Sequence, residues 1–249
     1  MNAVIEDILR TGKVTDSTGT VHDVFPASIL PKDGEAMFQL SSAPKPLNTL
    51  ELGMAYGLST LYICQALRNN AGGAHIAVDP YQTSYYKNSG RINVERAGLT
   101  GLVTVNEQQS YKALPKLMES GLQLDFAFVD GNHRFEFILL DFLFIDRMLN
   151  VGGHVMFHDL WMPSTRKAIS FIARNRRGVY EIVPEHLQPH SSLANGLVAL
   201  GKGLKQSPMD IGSALYFARK RTHNYFVLRK VKHETDQELD DAWTEYHPF

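Results

Sequence analysis

The chain has 249 residues, 44% of them hydrophobic, with 25 Lys and Arg against 26 Asp and Glu and a single cysteine, Cys64. This suits a single domain with a full core, excludes an intrachain disulfide or a thiolate zinc site, and offers neither nucleic acid nor an anionic membrane an electrostatic attraction. The N-terminal MNAVIEDILRTGK does not read as a signal peptide and no apolar run reaches membrane-spanning length, so the expectation is a cytoplasmic protein acting on a small molecule.

Residues 2–10 have the spacing of a short amphipathic helix. The turn-rich TGKVTDSTGTVHDVFPASILPKDG that follows reads as part of an N-terminal arm or cap over residues 1–45, which could pack on a second subunit in a homo-oligomer. A helix is expected around 34–42. Leu47–Leu52 is a short apolar strand, and Leu58, Leu61, Tyr62 and Ala66 then recur at helical spacing. His75–Val78 is a second strand, Ser89–Gly98 a helix, Leu102–Val105 a third strand and Tyr111–Ser120 a helix. Asp125–Val129 is a fourth strand. Phe135, Ile138, Leu139, Phe142 and Leu149 form one helical stripe, which stops near Gly152-Gly153. His154–Phe157 is a fifth strand and Thr165–Arg174 a further helix. Strands alternating with helices across short loops predict a doubly wound α/β fold, a mostly parallel sheet with helices on both faces. Tyr180–Val183 and Tyr225–Val231 read as two more strands, an antiparallel C-terminal pair that brings the sheet to about seven. The segment between them, 184–222, is too long for a hairpin loop and is expected to be a lid or insertion.

Between the first sheet strand and its helix lies Glu51-Leu52-Gly53-Met54-Ala55-Tyr56-Gly57-Leu58-Ser59. Gly53 and Gly57 permit a tight turn and a close backbone approach to a ligand beyond the carboxyl ends of the strands. The dinucleotide spacing G-x-G-x-x-G is absent, which disfavours a nicotinamide dehydrogenase, and no lysine stands in the P-loop position. Asp79, closing the second strand, is placed to accept hydrogen bonds from both hydroxyls of a ribose; a plain turn Asp before Pro80 is the alternative. An acidic turn without phosphate-binding features suits a cationic adenosyl cofactor, S-adenosylmethionine.

At these residues the chain resembles the class I S-adenosylmethionine-dependent methyltransferases, with ELGMAYG as their first motif and Asp79 of HIAVDPY as their acidic second motif. The resemblance covers about residues 34–175. It implies that Glu51, Gly53, Ala55, Tyr56, Gly57, Ser59 and Asp79 form the cofactor site. In VTVNEQQSYKALPKL the family's usual acid is missing, leaving Gln109 and Ser110 to meet the adenine edge.

The fourth strand runs into Asp130-Gly131-Asn132-His133 and the fifth into His158-Asp159. Adjacent parallel strands end on one edge, so Asp130 and Asp159 should face one crevice beside the cofactor's methyl group, Asp130 touching the cofactor as well. Two chemistries fit. In one, which resembles the catechol-type and macrolide-sugar (macrocin-like) O-methyltransferases, Asp130 and Asp159, with His158 and with Asn132 or water, hold Mg²⁺ or another divalent cation that lowers the pKa of an acceptor hydroxyl. In the other there is no metal and His133 or His158 is the general base, an ordinary imidazole being poised near neutrality; a hydrogen-bonded structural role is the alternative for each, which for His158 would be the orienting of Asp159. An aminopropyl transferase and a non-catalytic S-adenosylmethionine-binding protein are the remaining alternatives. Trp161 and Met162 are candidates to wall the acceptor pocket.

Overall fold

The computed structural model describes residues 2–45, 47–70, 72–183 and 224–234. Their helices are α1 (Ala3–Thr11), α2 (Pro31–Leu40), α3 (Leu58–Asn69), α4 (Ser89–Arg96), α5 (Ser110–Glu119), α6 (Phe135–Met148) and α7 (Pro163–Asn175). The strands are β1 (Lys13–Thr15), β2 (Val21–Asp23), β3 (Leu47–Leu52), β4 (Gly73–Val78), β5 (Val103–Asn106), β6 (Leu124–Val129), β7 (Leu149–His158), β8 (Tyr180–Ile182) and β9 (Tyr225–Lys230). Seven strands form one sheet in the order β5-β4-β3-β6-β7-β9-β8. The first five run parallel, and β9 pairs antiparallel with both β7 and β8. The doubly wound sheet and its C-terminal antiparallel pair are therefore as the sequence predicts. The proposed lid at 184–222 lies outside the described residues.

The sheet is buried on both faces by alternation of side chains along each strand. Phe126 and Phe128 of β6 point into the layer shared with α1, α2 and α3, while Ala127 and Val129 point into the layer formed with α5, α6 and α7. Strand order reverses about β3, whose partners are β4 on one side and β6 on the other. The connections leaving the carboxyl ends of β3 and β6 consequently run to opposite faces of the sheet, to α3 and to α6, and leave between them a crevice, where an α/β sheet binds its ligands.

The N-terminal segment is built into the same core. Asn2 caps α1 by accepting from Val4 N at 2.9 Å and also donates to Ala97 O, while Val4, Ile5 and Ile8 are buried. The segment read as an arm or cap contains the β1–β2 hairpin, whose strands of three residues each are too short to show a period. Helix α2 begins at Pro31, three residues before the expected start, because proline is pre-set for the first helical turn. A Cβ on Gly34 would lie 2.3 Å from the Tyr62 ring, so glycine is what lets α2 ride directly on α3.

The stripe assigned to one helix over Phe135 to Leu149 also needs correction. The helix stops at Met148, and Leu149 is the first residue of β7, paired with Leu124. The glycines read as the end of the helix lie inside that strand, at a register shift between Leu124 and Phe126. Gly152 has φ +87°, and a Cβ on Gly153 would meet carbonyl oxygens at 2.9 and 3.0 Å. This is the bulge use of strand glycines.

Candidate active site

The turn after β3 is fixed by contacts no other residue type would allow. Gly53 has φ +92°, and a Cβ there would lie 2.3 Å from the carbonyl oxygen of Asp130. Gly57, at φ +83°, packs against Gly90. Between them Ala55 adopts φ +47°, a conformation costly to a residue with a side chain. Asp79 holds it there: one carboxylate oxygen accepts from Ala55 N at 2.8 Å, Met54 N at 3.2 Å and Gln82 Nε2 at 2.9 Å. Its other oxygen accepts from Tyr81 N at 2.8 Å. Gln82 also donates to Ala55 O at 2.7 Å. Gln82 went unread in the sequence because an amide in a loop carries no pattern.

Beyond the strand ends lies a cleft of about 520 Å³. Gly53, Ala55, Asp79, Gln109 and Ser110 line one part of it, and Asp130, Asn132, His133 and Asp159 another. Pro26, Ala27 and Ser28 of the N-terminal segment, with Tyr81 and Tyr86, complete the wall. Burial, helped by the charge of Asp79, pushes the Tyr86 hydroxyl up to about 12, so it stays a neutral donor. Gln109 is the N-cap residue of α5 and Ser110 its first residue, which brings both to the rim.

Several residues expected at the ligand are elsewhere. Glu51 and Ser59 do not line the cleft. Glu51 is fully buried beneath the turn, where it accepts from Ser59 Oγ at 2.7 Å and from the Thr60 hydroxyl. His75 Nε2 lies 3.1 Å from the same carboxylate, an ion-pair distance without the alignment of a hydrogen bond. Glu51 thus anchors the head of α3 from below. Tyr56 and Gly57 shape the turn without lining the cleft; the Tyr56 ring stacks edge-on to Tyr86 at 5.2 Å.

The acids and histidines after β6 and β7 do converge, with the two histidines on different sides of the acids. His133 Nε2 stands 3.3 Å from Asp130 Oδ1 and 3.1 Å from Asp159 Oδ2. One ligand atom from each of Asp130, His133 and Asp159 can be chosen so that all lie within 4.8 Å of one another, a spacing that suits a shared cation. His158, expected as the metal-binding histidine, is fully buried behind this trio instead. Its Nδ1 faces Asp130 Oδ1 at 3.1 Å and its Nε2 faces Asp33 Oδ2 at 3.3 Å. The reason is strand alternation: Asp159 follows the last residue of β7 and turns out at φ +58°, whereas His158 still belongs to the strand and points into the core. Asp159 is braced by Trp161 Nε1 at 2.9 Å and Asn224 Nδ2 at 2.7 Å, both on Oδ1.

Electrostatics follow from this packing. Burial opposes charge on His158, but Asp130, Asp33 and Asp159 outweigh it and raise its pKa to about 10. Burial likewise opposes charge on His133, and Asp130 and Asp159 raise it to about 9. Burial pushes Asp130 upward, yet His158 and His133 hold it below the usual carboxylate range. Both rings are therefore imidazolium ions at neutral pH in the free protein. A His133 that keeps its proton up to about 9 is a poor base at pH 7.

Comparison with known proteins agrees with this geometry. Residues 50–160 match a family described as a methyltransferase domain. A catechol O-methyltransferase of Niastella koreensis is 30% identical over 106 residues, 42% of this chain and 46% of that protein. A putative caffeoyl-CoA O-methyltransferase of Arabidopsis thaliana is 25% identical over 192 residues, 76% of this chain and 75% of that one. The chain thus spans about half the length of the first of these relatives and three quarters of the second. Among solved structures, an O-methyltransferase from Bacillus cereus in complex with SAH superposes with a TM-score of 0.64 at 16% identity, over 93% of this chain and 92% of that one. With the glycine turn, Asp79 and the seven-stranded sheet in place, residues 50–160 are similar to the methyltransferase domain family, and the chain has the fold of a known O-methyltransferase.

Proposed function

We propose that the protein transfers the methyl group of S-adenosylmethionine to a hydroxyl of a small molecule, with a divalent cation bound by Asp130, Asp159 and His133. One observation carries this reading: the glycine turn with Asp79 and the trio of Asp130, His133 and Asp159 open onto the same cleft. The donor set fits such an ion. Two carboxylates suit Mg²⁺ or Mn²⁺, and the imidazole shifts the preference toward Mn²⁺ or another transition ion.

Asp79 would take the ribose hydroxyls on its remaining lone pairs, and Gln109 and Ser110 the adenine edge. Gly53 lets the amino-acid end approach the backbone closely. These contacts, with the wall at Pro26–Ser28 and Tyr86, would orient the acceptor oxygen toward the methyl carbon, and such alignment can supply about 7–11 kcal/mol. When bound, the cation would lower the pKa of the acceptor hydroxyl. His133 would give up its proton to ligate, so it need not act as the base.

The test is methyl transfer to catechol and to caffeoyl-CoA, the acceptors in the names of two relatives, with and without EDTA. The expected result is loss of transfer in EDTA and recovery with Mn²⁺. Full activity in EDTA, together with loss of activity in His133→Ala, would replace the cation with a metal-free role for His133. That second reading draws on the seat His133 already occupies between the two carboxylates.

A further inference from the structure

We infer that Asp33, on a helix of the N-terminal segment, is a positioning residue: it fixes the ring of His158, and His158 in turn aims Asp130 into the cleft. The inference rests on the reading of Asp130, Asp159 and His133 as the ligand trio for a cation.

The side chains of Asp33 and His158 are both fully buried, 125 residues apart in the chain and 3.3 Å apart in space. A carboxylate buried without a partner is costly, so its place at the end of this ring calls for a reason. Helix α2 is itself held in place. Gly34 seats it on Tyr62, and Asp33 accepts from Leu30 N at 3.1 Å, which ties the carboxylate to the start of its own helix. The imidazole therefore meets a fixed acceptor at Nε2. Its other nitrogen reaches Asp130 Oδ1 at 3.1 Å and Asp159 Oδ1 at 3.4 Å. Phe128 packs at 5.7 Å between ring centroids. With both ring nitrogens engaged and one side packed, the ring has a single orientation, and so does the carboxylate of Asp130 that it faces. The arrangement is that of an outer carboxylate, a histidine and an inner carboxylate in line, with only the last reaching the cleft. It joins the N-terminal segment to the chemistry at the ends of β6 and β7. Outer partners of this kind typically alter metal affinity by about 10–100-fold.

The experiment uses the full chain carrying Asp33→Asn, which keeps an acceptor oxygen in place of the charge. Three quantities are read: the ring ¹⁵N–¹H resonances of His158 and His133 in cation-free protein, Mn²⁺ affinity, and affinity for S-adenosylhomocysteine. The His133 signal reports on Asp130 together with Asp159, because its Nε2 lies 3.3 Å from Asp130 Oδ1 and 3.1 Å from Asp159 Oδ2. The expected result is that both resonances move and Mn²⁺ affinity falls about 10-fold or more, while S-adenosylhomocysteine affinity stays within about twofold, its site resting on Asp79 and the glycine turn. A His158 resonance that does not move, or one that moves while His133 stays still, overturns the inference. A parallel loss of S-adenosylhomocysteine affinity also overturns it, since that is general loosening. If the wild-type protein fails to bind Mn²⁺, the cation reading falls, and the two resonances alone decide whether Asp33 positions Asp130. Should Asp33→Asn not fold, His158→Gln is read by the His133 resonance and Mn²⁺ affinity against the same expectations.

Discussion

Gly53 and the backbone of Asp130 touch, so closely that a Cβ on the glycine would lie 2.3 Å from the Asp130 carbonyl oxygen. Asp130 N in turn donates to Leu52 O at 2.9 Å. The glycine turn and the first acid of the proposed cation trio are thus one backbone unit, and a change at either is felt at the other. Gly53→Ala adds both a strained φ and an overlap with backbone that has nowhere to go. The expected cost is about 1–3 kcal/mol of stability, with S-adenosylhomocysteine affinity down about tenfold or more. Thermal melting and calorimetry check the two effects, and unchanged binding would show that the turn tolerates a side chain.

Asp79 has a double role, closing the turn and facing the cleft. Asp79→Ala removes the acceptor of Ala55 N and Met54 N together with the proposed ribose contact. Asp79→Asn keeps one oxygen and loses the charge. Charge-assisted hydrogen bonds contribute about 1.5–3 kcal/mol each, so S-adenosylhomocysteine affinity should fall about 10–100-fold in the Asn variant and further in the Ala variant. Equal affinity in the wild type and both variants would remove Asp79 from the cofactor site.

Asp141 provides a pH test outside the trio. It is fully buried on α6, and neither oxygen makes a well-formed hydrogen bond. Burial raises its pKa from 3.8 to about 6, only partly offset by the nearby Ser110 hydroxyl. The folded chain holds this proton more tightly than the unfolded one does. Its contribution therefore favours folding below about pH 4 and is lost as pH rises through about 6, at most about 3 kcal/mol. Denaturant titrations of Asp141→Asn from pH 4 to 8 should lack that component of the decline. Identical pH slopes in the two proteins would refute the shifted carboxyl.

The C-terminal strand pair is locked by a buried charge cluster. Lys230, 3% exposed, lies 3.1 Å from Asp146 Oδ1, which also accepts from Tyr180 at 2.7 Å; the other oxygen of Asp146 pairs with Arg176. Removing one partner of a buried pair typically costs about 3–5 kcal/mol. Because Arg176 remains to neutralise Asp146, Lys230→Met should fall at the low end, about 3 kcal/mol. A thermal shift of less than a degree would mean that the lysine is dispensable.

The alternation of strands and helices, the glycine turn and Asp79 were legible in the sequence because they are local. Hydrophobic period, glycine and a strand-terminal acid each act within a few residues of where they stand. The parallel order of the strands then follows from connection rules, and with it the meeting of Asp130 and Asp159. Three features were not legible. Glu51 reads as a motif acid but serves Ser59 and Thr60 below the turn, since which way a carboxylate faces depends on the helix packed over it. Whether His158 faces the cleft or the core turned on where β7 ends, and alternation converts one residue of register into opposite directions. Asp33 carried no signal at all, because its partner is 125 residues away. Sequence alone therefore determined the sheet, the glycine turn and the edge at which the acids gather. Tertiary structure decided which histidine stands between them and which carboxylate stands behind, because those are contacts between elements whose distance in space has no counterpart along the chain.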